Sequence, residues 1–266
     1  MRADFKKMVA VALSLIHIFP VELINALLII NFYKIAKLAA QLCNLATESY
    51  SSEINKLTAL VKNTYIDKDG SCVINKQTAV AMLIYYDVYD DIKPLKVQLK
   101  RLIEDSGFHH DCGMVGLRRL YMALNKCGLQ EYAYKILVSK TFPSYGAWFE
   151  NGATTLWEFW HYFKHEDSRN HHMYSDFMSW MIKTLVGINA REPGFGEIEI
   201  KPFFPENLTW VRGICKTSSG SVGVFWERQK NGVHIEITLP SGMSAYYKGK
   251  KLNEGVTILD VNDDKG

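Results

Sequence analysis

Gly152-Ala153-Thr154-Thr155-Leu156-Trp157-Glu158 stands past the middle of the chain, preceded by Tyr145-Gly146-Ala147-Trp148-Phe149-Glu150-Asn151. It is followed by Phe159-Trp160-His161 and, after a polar loop, by Ser168-Arg169-Asn170-His171-His172. Here a helical pattern meets a crowd of aromatic rings, a carboxylate and a returning histidine pair, as a sugar-binding cleft requires. Asn151-Gly152 is a turn signal and the apolar spacing after it is helical, so a helix is predicted over 152–163. Glu158 would lie within its first two turns, with Thr154 and Thr155 one turn earlier on the same side. Helix-end potential and hydroxyl donors favour an ionised carboxylate, which suits a general base rather than a general acid. The plainer alternative is a surface helix residue above a core of Trp157 and Trp160.

Outward from this stretch the period is helical from Val21 to about Gly187. Ile24, Leu27, Leu28, Phe32, Ile35, Leu38 and Ala39 repeat at three and four, predicting a long helix that ends near Asn44. A second runs from Ser51, a third from Thr78 to Tyr89, and Asp90-Asp91 before Pro94 opens a fourth. Others are predicted at 113–126, 130–138 and 170–187. After Gly187 the period becomes two. Glu197–Lys201, Leu208–Ile214, Val222–Arg228 and Val233–Leu239 alternate, with Ser219-Gly220, Asn231-Gly232, Ser241-Gly242 and Glu254-Gly255 at hairpin spacing. The fold class is mainly α, a partial α/α toroid over 21–190, with an antiparallel β-sandwich over 191–266. The sandwich assembles no acids or nucleophiles, so it reads as a packing domain, with glycan binding as an alternative.

Bulk properties narrow the function classes. Over 266 residues, 48% hydrophobic content is ample for a core, and a formal charge of +3 gives no electrostatic footprint for nucleic acid. Half of the six tryptophans fall between 148 and 160, which fits carbohydrate, because pyranose C–H faces stack on indole. The five cysteines are odd in number and lack a Cys-x-x-Cys pair, so reduced thiols and a cytoplasmic location are expected. The first twenty residues admit three readings. Their basic start and apolar run Met8–Phe19 fit a signal peptide, and hence secretion, or a core helix. Leu13-Ser-Leu-Ile-His-Ile18 also matches one reading frame of a sequencing-library transposon end. The run is too short to span a membrane, and no membrane partner is expected.

Gly152–Glu158 followed by Ser168-Arg169-Asn170-His171-His172-Met173-Tyr174 resembles the paired signatures of the inverting α-L-rhamnosidases of glycoside hydrolase family 78, six-hairpin glycosidases. The likeness extends over roughly 25–260 and includes Asp111–Leu120 and Leu185–Ile188 before Pro193-Gly194-Phe195. It implies that Glu158 is the catalytic base and that His171 lines the sugar pocket. It also implies a closed barrel of six helix pairs, about twelve helices where about eight are readable. The chain thus resembles the C-terminal part of such an enzyme, with the general acid upstream. An open barrel would expose apolar helix faces and favour weak stability or association.

The implied substrate is a rhamnose-containing glycoside or oligosaccharide. Two other classes remain: another toroidal glycosidase, and a noncatalytic carbohydrate-binding protein. Trp148 and Trp157 are the candidates for sugar stacking. His109 and His110, in the loop before a helix at Gly113, are candidate substrate contacts by the same resemblance. Trp160 and Trp180 read as core, Arg118-Arg119 as a solvated face or an ion pair with neighbouring acids, and Cys112 as a buried thiol. His161 and His165 stand one helical turn apart, but with no His-Glu-x-x-His no metal is expected, and no cofactor either. Asp67-Lys-Asp-Gly70 is a turn that lacks the remaining ligands of a calcium loop.

Overall fold

The computed structural model describes residues 21–160 and 168–262. The predicted leader over 1–20, the histidine pair His161 and His165, the end of the helix predicted over 152–163 and the last residues of the tail lie outside them. The chain forms two compact units that interleave along the sequence. One gathers the chain up to Leu129 with Ser139–Ala147; the other gathers Gln130–Val138 with everything from Trp148 onward.

The first unit contains helices α1 (Val21–Leu42), α2 (Glu48–Tyr65), α3 (Gln77–Tyr85), α4 (Ile92–Asp105) and α5 (Met114–Lys126). α3 is its buried axis: Ala79 through Ile84 are wholly enclosed. α5 comes close against it at Gly116, where an added Cβ would fall 2.1 Å from the Thr78 hydroxyl oxygen. Leu117, Leu120, Tyr121 and Leu124 complete that contact face. α4 opens as the sequence predicts, with the Asp91 carboxylate accepting the Lys93 N–H at 3.0 Å. α3 stops four residues short of the predicted Tyr89, because the chain turns through Asp87 at φ 58°. Two buried glutamines tie the loops. Gln98 exchanges two 2.8 Å hydrogen bonds with the Cys72 backbone, and Gln77 donates to the His109 carbonyl at 3.0 Å. α1, at 22 residues, is long and apolar enough to cross a membrane, a test that core helices also pass. It buries Leu23, Leu27 and Ile30 and leaves Phe32, Ile35 and Leu38 exposed.

The second unit holds α6 (Gln130–Val138), the second half of the short α7 (Tyr145–Glu150), and α8 (Phe177–Trp180), which runs into a π-turn at Met181–Val186. The helix predicted over 170–187 is thus three pieces, beginning with a 3-10 turn at His172–Tyr174. Eight strands follow: β1 (Ile188–Ala190), β2 (Ile198–Ile200), β3 (Trp210–Thr217), β4 (Gly220–Gln229), β5 (Gly232–Leu239), β6 (Ala245–Tyr247), β7 (Lys250–Leu252) and β8 (Gly255–Val261). They make two four-stranded sheets, β1-β2-β6-β7 and β3-β4-β5-β8. Every pairing is antiparallel except β2–β6. Val222, Val224 and Trp226 of β4 and Ile235 and Ile237 of β5 share one core with Ile198, Ile200 and Ala245 of the other sheet. Trp226 donates its indole N–H to the Leu185 carbonyl at 2.7 Å, locking the π-turn onto that core. Gly232 is required where the β4–β5 hairpin closes: at φ 145°, an added Cβ would meet the Val261 carbonyl at 2.2 Å.

Candidate functional site

Asn151-Gly152 ends a helix and does not begin one. α7 stops at Glu150, Gly152 takes the left-handed conformation at φ 83°, and two hydrogen bonds close over it. The Gly152 N–H donates to the Phe149 carbonyl and the Ala153 N–H to the Trp148 carbonyl, both at 3.0 Å. This pair of bonds is the glycine stop of a Schellman motif. Residues 152–160 are therefore loop, and the helix predicted there is corrected over its described part. Asn-Gly supplies a left-handed turn, and that conformation marks the end of a helix, whereas an N-cap residue is extended.

The loop is nonetheless fixed in place. It runs beside the returning segment, with the Glu158 N–H donating to the Ser168 carbonyl at 3.0 Å and the His171 N–H to the Leu156 carbonyl at 2.8 Å. The Thr155 hydroxyl also donates to the Arg169 carbonyl. Below them, Trp148 stacks on Trp160 with ring centroids 4.6 Å apart and donates its indole N–H to the Trp160 carbonyl at 3.0 Å. Tyr174 lies 4.6 Å from Trp160, and Trp157 lies 6.1 Å from Trp148.

On this aromatic base the two backbone rungs bring Glu158 and His171 together. The Glu158 carboxylate accepts the Ser168 N–H at 3.2 Å and stands 3.9 Å from His171 Nδ1. The two side chains are 30% and 28% exposed, open enough for a water or a sugar hydroxyl to reach. The orienting donor is the Ser168 backbone; the helix end and threonine hydroxyls expected from the sequence do not supply it. Such a pair can accept a proton at the carboxylate and offer an imidazole to a neighbouring hydroxyl.

The other predicted residues lie elsewhere. Trp148 and Trp157 are 1% and 5% exposed, so the sugar stacking expected of them is corrected. Trp148 carries Trp160 on its face, and Trp157 carries the Arg169 guanidinium 4.5 Å above its ring. Arg169 was legible only as part of the polar returning segment, with nothing to mark it as the partner of Trp157. Trp180 is core as predicted, whereas Trp160 is partly exposed. The substrate contact expected of His110 is also corrected. His110 is buried in the first unit, bonded through Nε2 to the Tyr121 hydroxyl at 2.9 Å, with Tyr121 and Tyr145 edge-on to its ring. Burial brings its pKa down to about 3, so the ring is neutral. His109 bonds the Ser106 carbonyl at 2.9 Å and the Thr141 hydroxyl at 2.8 Å, which staples two loops of that unit. Burial pushes the Cys112 thiol up to about 12, the state of an inert buried thiol. Among the described residues no cluster of His, Cys, Asp or Glu is arranged to hold a metal.

Comparison with known proteins places these features. The family model of the bacterial α-L-rhamnosidase six-hairpin glycosidase domain matches residues 20–185, and that of the bacterial α-L-rhamnosidase C-terminal domain matches 187–247. An α-L-rhamnosidase of Alteromonas sp. (strain LOR) is 26% identical over 210 residues, covering 74% of this chain and 23% of its own length. One from Streptomyces avermitilis is 26% identical over 206 residues, covering 74% and 20%. The crystal structure of the Streptomyces avermitilis α-L-rhamnosidase complexed with L-rhamnose superposes with a TM-score of 0.83 at 22% identity, over 92% of this chain and 26% of that one. The α-L-rhamnosidase of Dictyoglumus thermophilum gives 0.75 at 24% identity, over 88% and 29%. These likenesses establish the fold. The chain spans 23% and 20% of the length of the two curated relatives. With its helical part matched from end to end, this chain belongs to the bacterial α-L-rhamnosidase six-hairpin glycosidase family.

Proposed function

We propose that the chain is part of a glycoside hydrolase that removes terminal α-linked L-rhamnose from a rhamnose-containing glycoside, with inversion at the anomeric carbon. The observation that carries this reading is the Glu158–His171 pair, 3.9 Å apart on the loop whose sequence resembles the family's signatures. Glu158 is the general base. It takes a proton from the water that attacks the anomeric carbon as a general acid on the opposite face protonates the leaving oxygen. The two carboxyl groups would stand roughly 6.5–9.5 Å apart to admit that water. His171 holds a sugar hydroxyl beside the reacting carbon. The general acid is assigned to the portion of the longer relatives that this chain does not match, so the polypeptide by itself should turn over rhamnosides poorly. The location that accords with free thiols is the cytoplasm.

The test uses an aryl α-L-rhamnoside and residues 20–247 grafted in place of the matching portion of the Streptomyces avermitilis enzyme. Proton NMR of the first turnovers should show β-L-rhamnose as the initial product. An α-anomer would rule out single displacement. Normal turnover by the ungrafted chain would show that its acid is its own.

A further inference from the structure

The second unit has a surface that the catalytic reading leaves unused. In the β3-β4-β5-β8 sheet, alternate residues face the core, and the others form registered rows across the outer face. One row runs Trp210, Glu227, His234, Asp260, each paired with the next across adjacent strands. All six tryptophans fall within the described residues, and Trp210, 59% exposed, is the one that meets solvent over most of its area. Beside it the polar groups are pre-set. His234 bonds Asp260 through Nδ1 at 2.8 Å and faces Glu236 through Nε2 at 3.5 Å. In the adjoining row the Arg212 guanidinium lies 4.9 Å from the centre of the Phe225 ring, and Ile258 is exposed.

We propose that this outer sheet face is a second glycan-binding surface, where Trp210 stacks on a pyranose ring and Glu227, His234 and Asp260 bind the hydroxyls of the same or the adjoining sugar. Three things argue for a sugar as occupant. An exposed indole matches the apolar C–H face of a pyranose. The neighbours one and more strands away, at about 4.8 Å per strand, are hydroxyl-binding groups in line with it. Charged groups in the middle of the row are what the centre of a protein interface lacks. The flat, open sheet suits a chain of sugars lying across it, not a single residue enclosed. The inference takes its choice of a rhamnose-bearing glycan from the proposed function, but the surface itself uses neither Glu158 nor His171.

Affinity electrophoresis of the intact chain in gels containing gum arabic, a polysaccharide with rhamnose termini, tests it against dextran and a sugar-free gel. The expected result is retardation by gum arabic that weakens about tenfold or more in Trp210→Ala and persists in Glu158→Gln. Trp210→Phe should retain most of it, and unchanged circular dichroism will show that the sheet is intact. Absence of retardation, or retardation indifferent to Trp210→Ala, would overturn the proposal. So would a concentration-dependent dimer, seen by sedimentation, that Trp210→Ala abolishes: the occupant would then be a second copy of the chain.

Discussion

α3 and the two facing segments 151–160 and 168–171 are both well-specified, by opposite means. In α3 a run of apolar residues is enclosed on every side, and its backbone bonds are those of any helix. In the facing segments the described backbone has no helical or strand repeat. Its shape comes from a glycine stop, two cross-rungs, a threonine and stacked indoles, each a bond between particular atoms. The helix should tolerate change of identity at constant volume; the facing segments should tolerate change only where no named bond or stacked ring is lost. A partly exposed carboxylate can be aimed by the second arrangement and not by the first.

The largest expected effects come from deleting volume in each region. Leu120→Ala, against the buried face of α3, should lower the stability of the first unit by about 2–5 kcal/mol in urea unfolding. Trp148→Ala removes a ring 1% exposed and a hydrogen bond at once, with an expected cost of about 3–5 kcal/mol. If Trp148→Ala cost less than 1 kcal/mol, the claim that its ring supports the loop would fail.

A pH series sharpens the comparison next, through His110. Its folded pKa is about 3, against an unfolded value near 6.5. Between those values the unfolded chain takes up a proton that the native ring refuses. Stability from this group is therefore complete above about pH 6.5 and is lost as pH falls toward about 3, by at most about 1.4 kcal/mol per pH unit. Carboxylates titrate in both proteins, so the informative quantity is the difference between wild type and His110→Gln, which should shrink steadily as the pH falls below 6.5. A difference independent of pH would mean that His110 is not enclosed as a neutral ring. The smallest effect belongs to Gly152→Ala, which forces a side chain into the left-handed region and should cost about 1 kcal/mol.

The same contrast explains what the sequence disclosed. α4 with its Asp91 cap, the buried face of α5 and the β3–β4–β5 meander follow periods of 3.6 and 2 with turn residues at hairpin spacing, so they were legible within a few residues. The parallel pairing of β2 with β6 was not, because nothing local in either three-residue strand records a partner more than forty residues away. Nor was the grouping of α6 with the second unit, which depends on contacts distant in sequence. At the candidate site, Glu158 and His171 were named from motif resemblance, and the rungs that join them were invisible. Trp148 and Trp157 were misassigned because a tryptophan has the same letter whether it faces sugar or supports a loop, and Trp210, the exposed one, carried no motif.

The claim that Glu158 acts as the base is tested most directly by turnover of an aryl α-L-rhamnoside in the grafted Streptomyces avermitilis enzyme carrying either Glu158 or Glu158→Gln. The substitution should lower kcat by about 10²–10⁴-fold with little change in KM. Retention of more than about a tenth of kcat would contradict the assignment, since removal of an essential general base costs at least about a hundredfold.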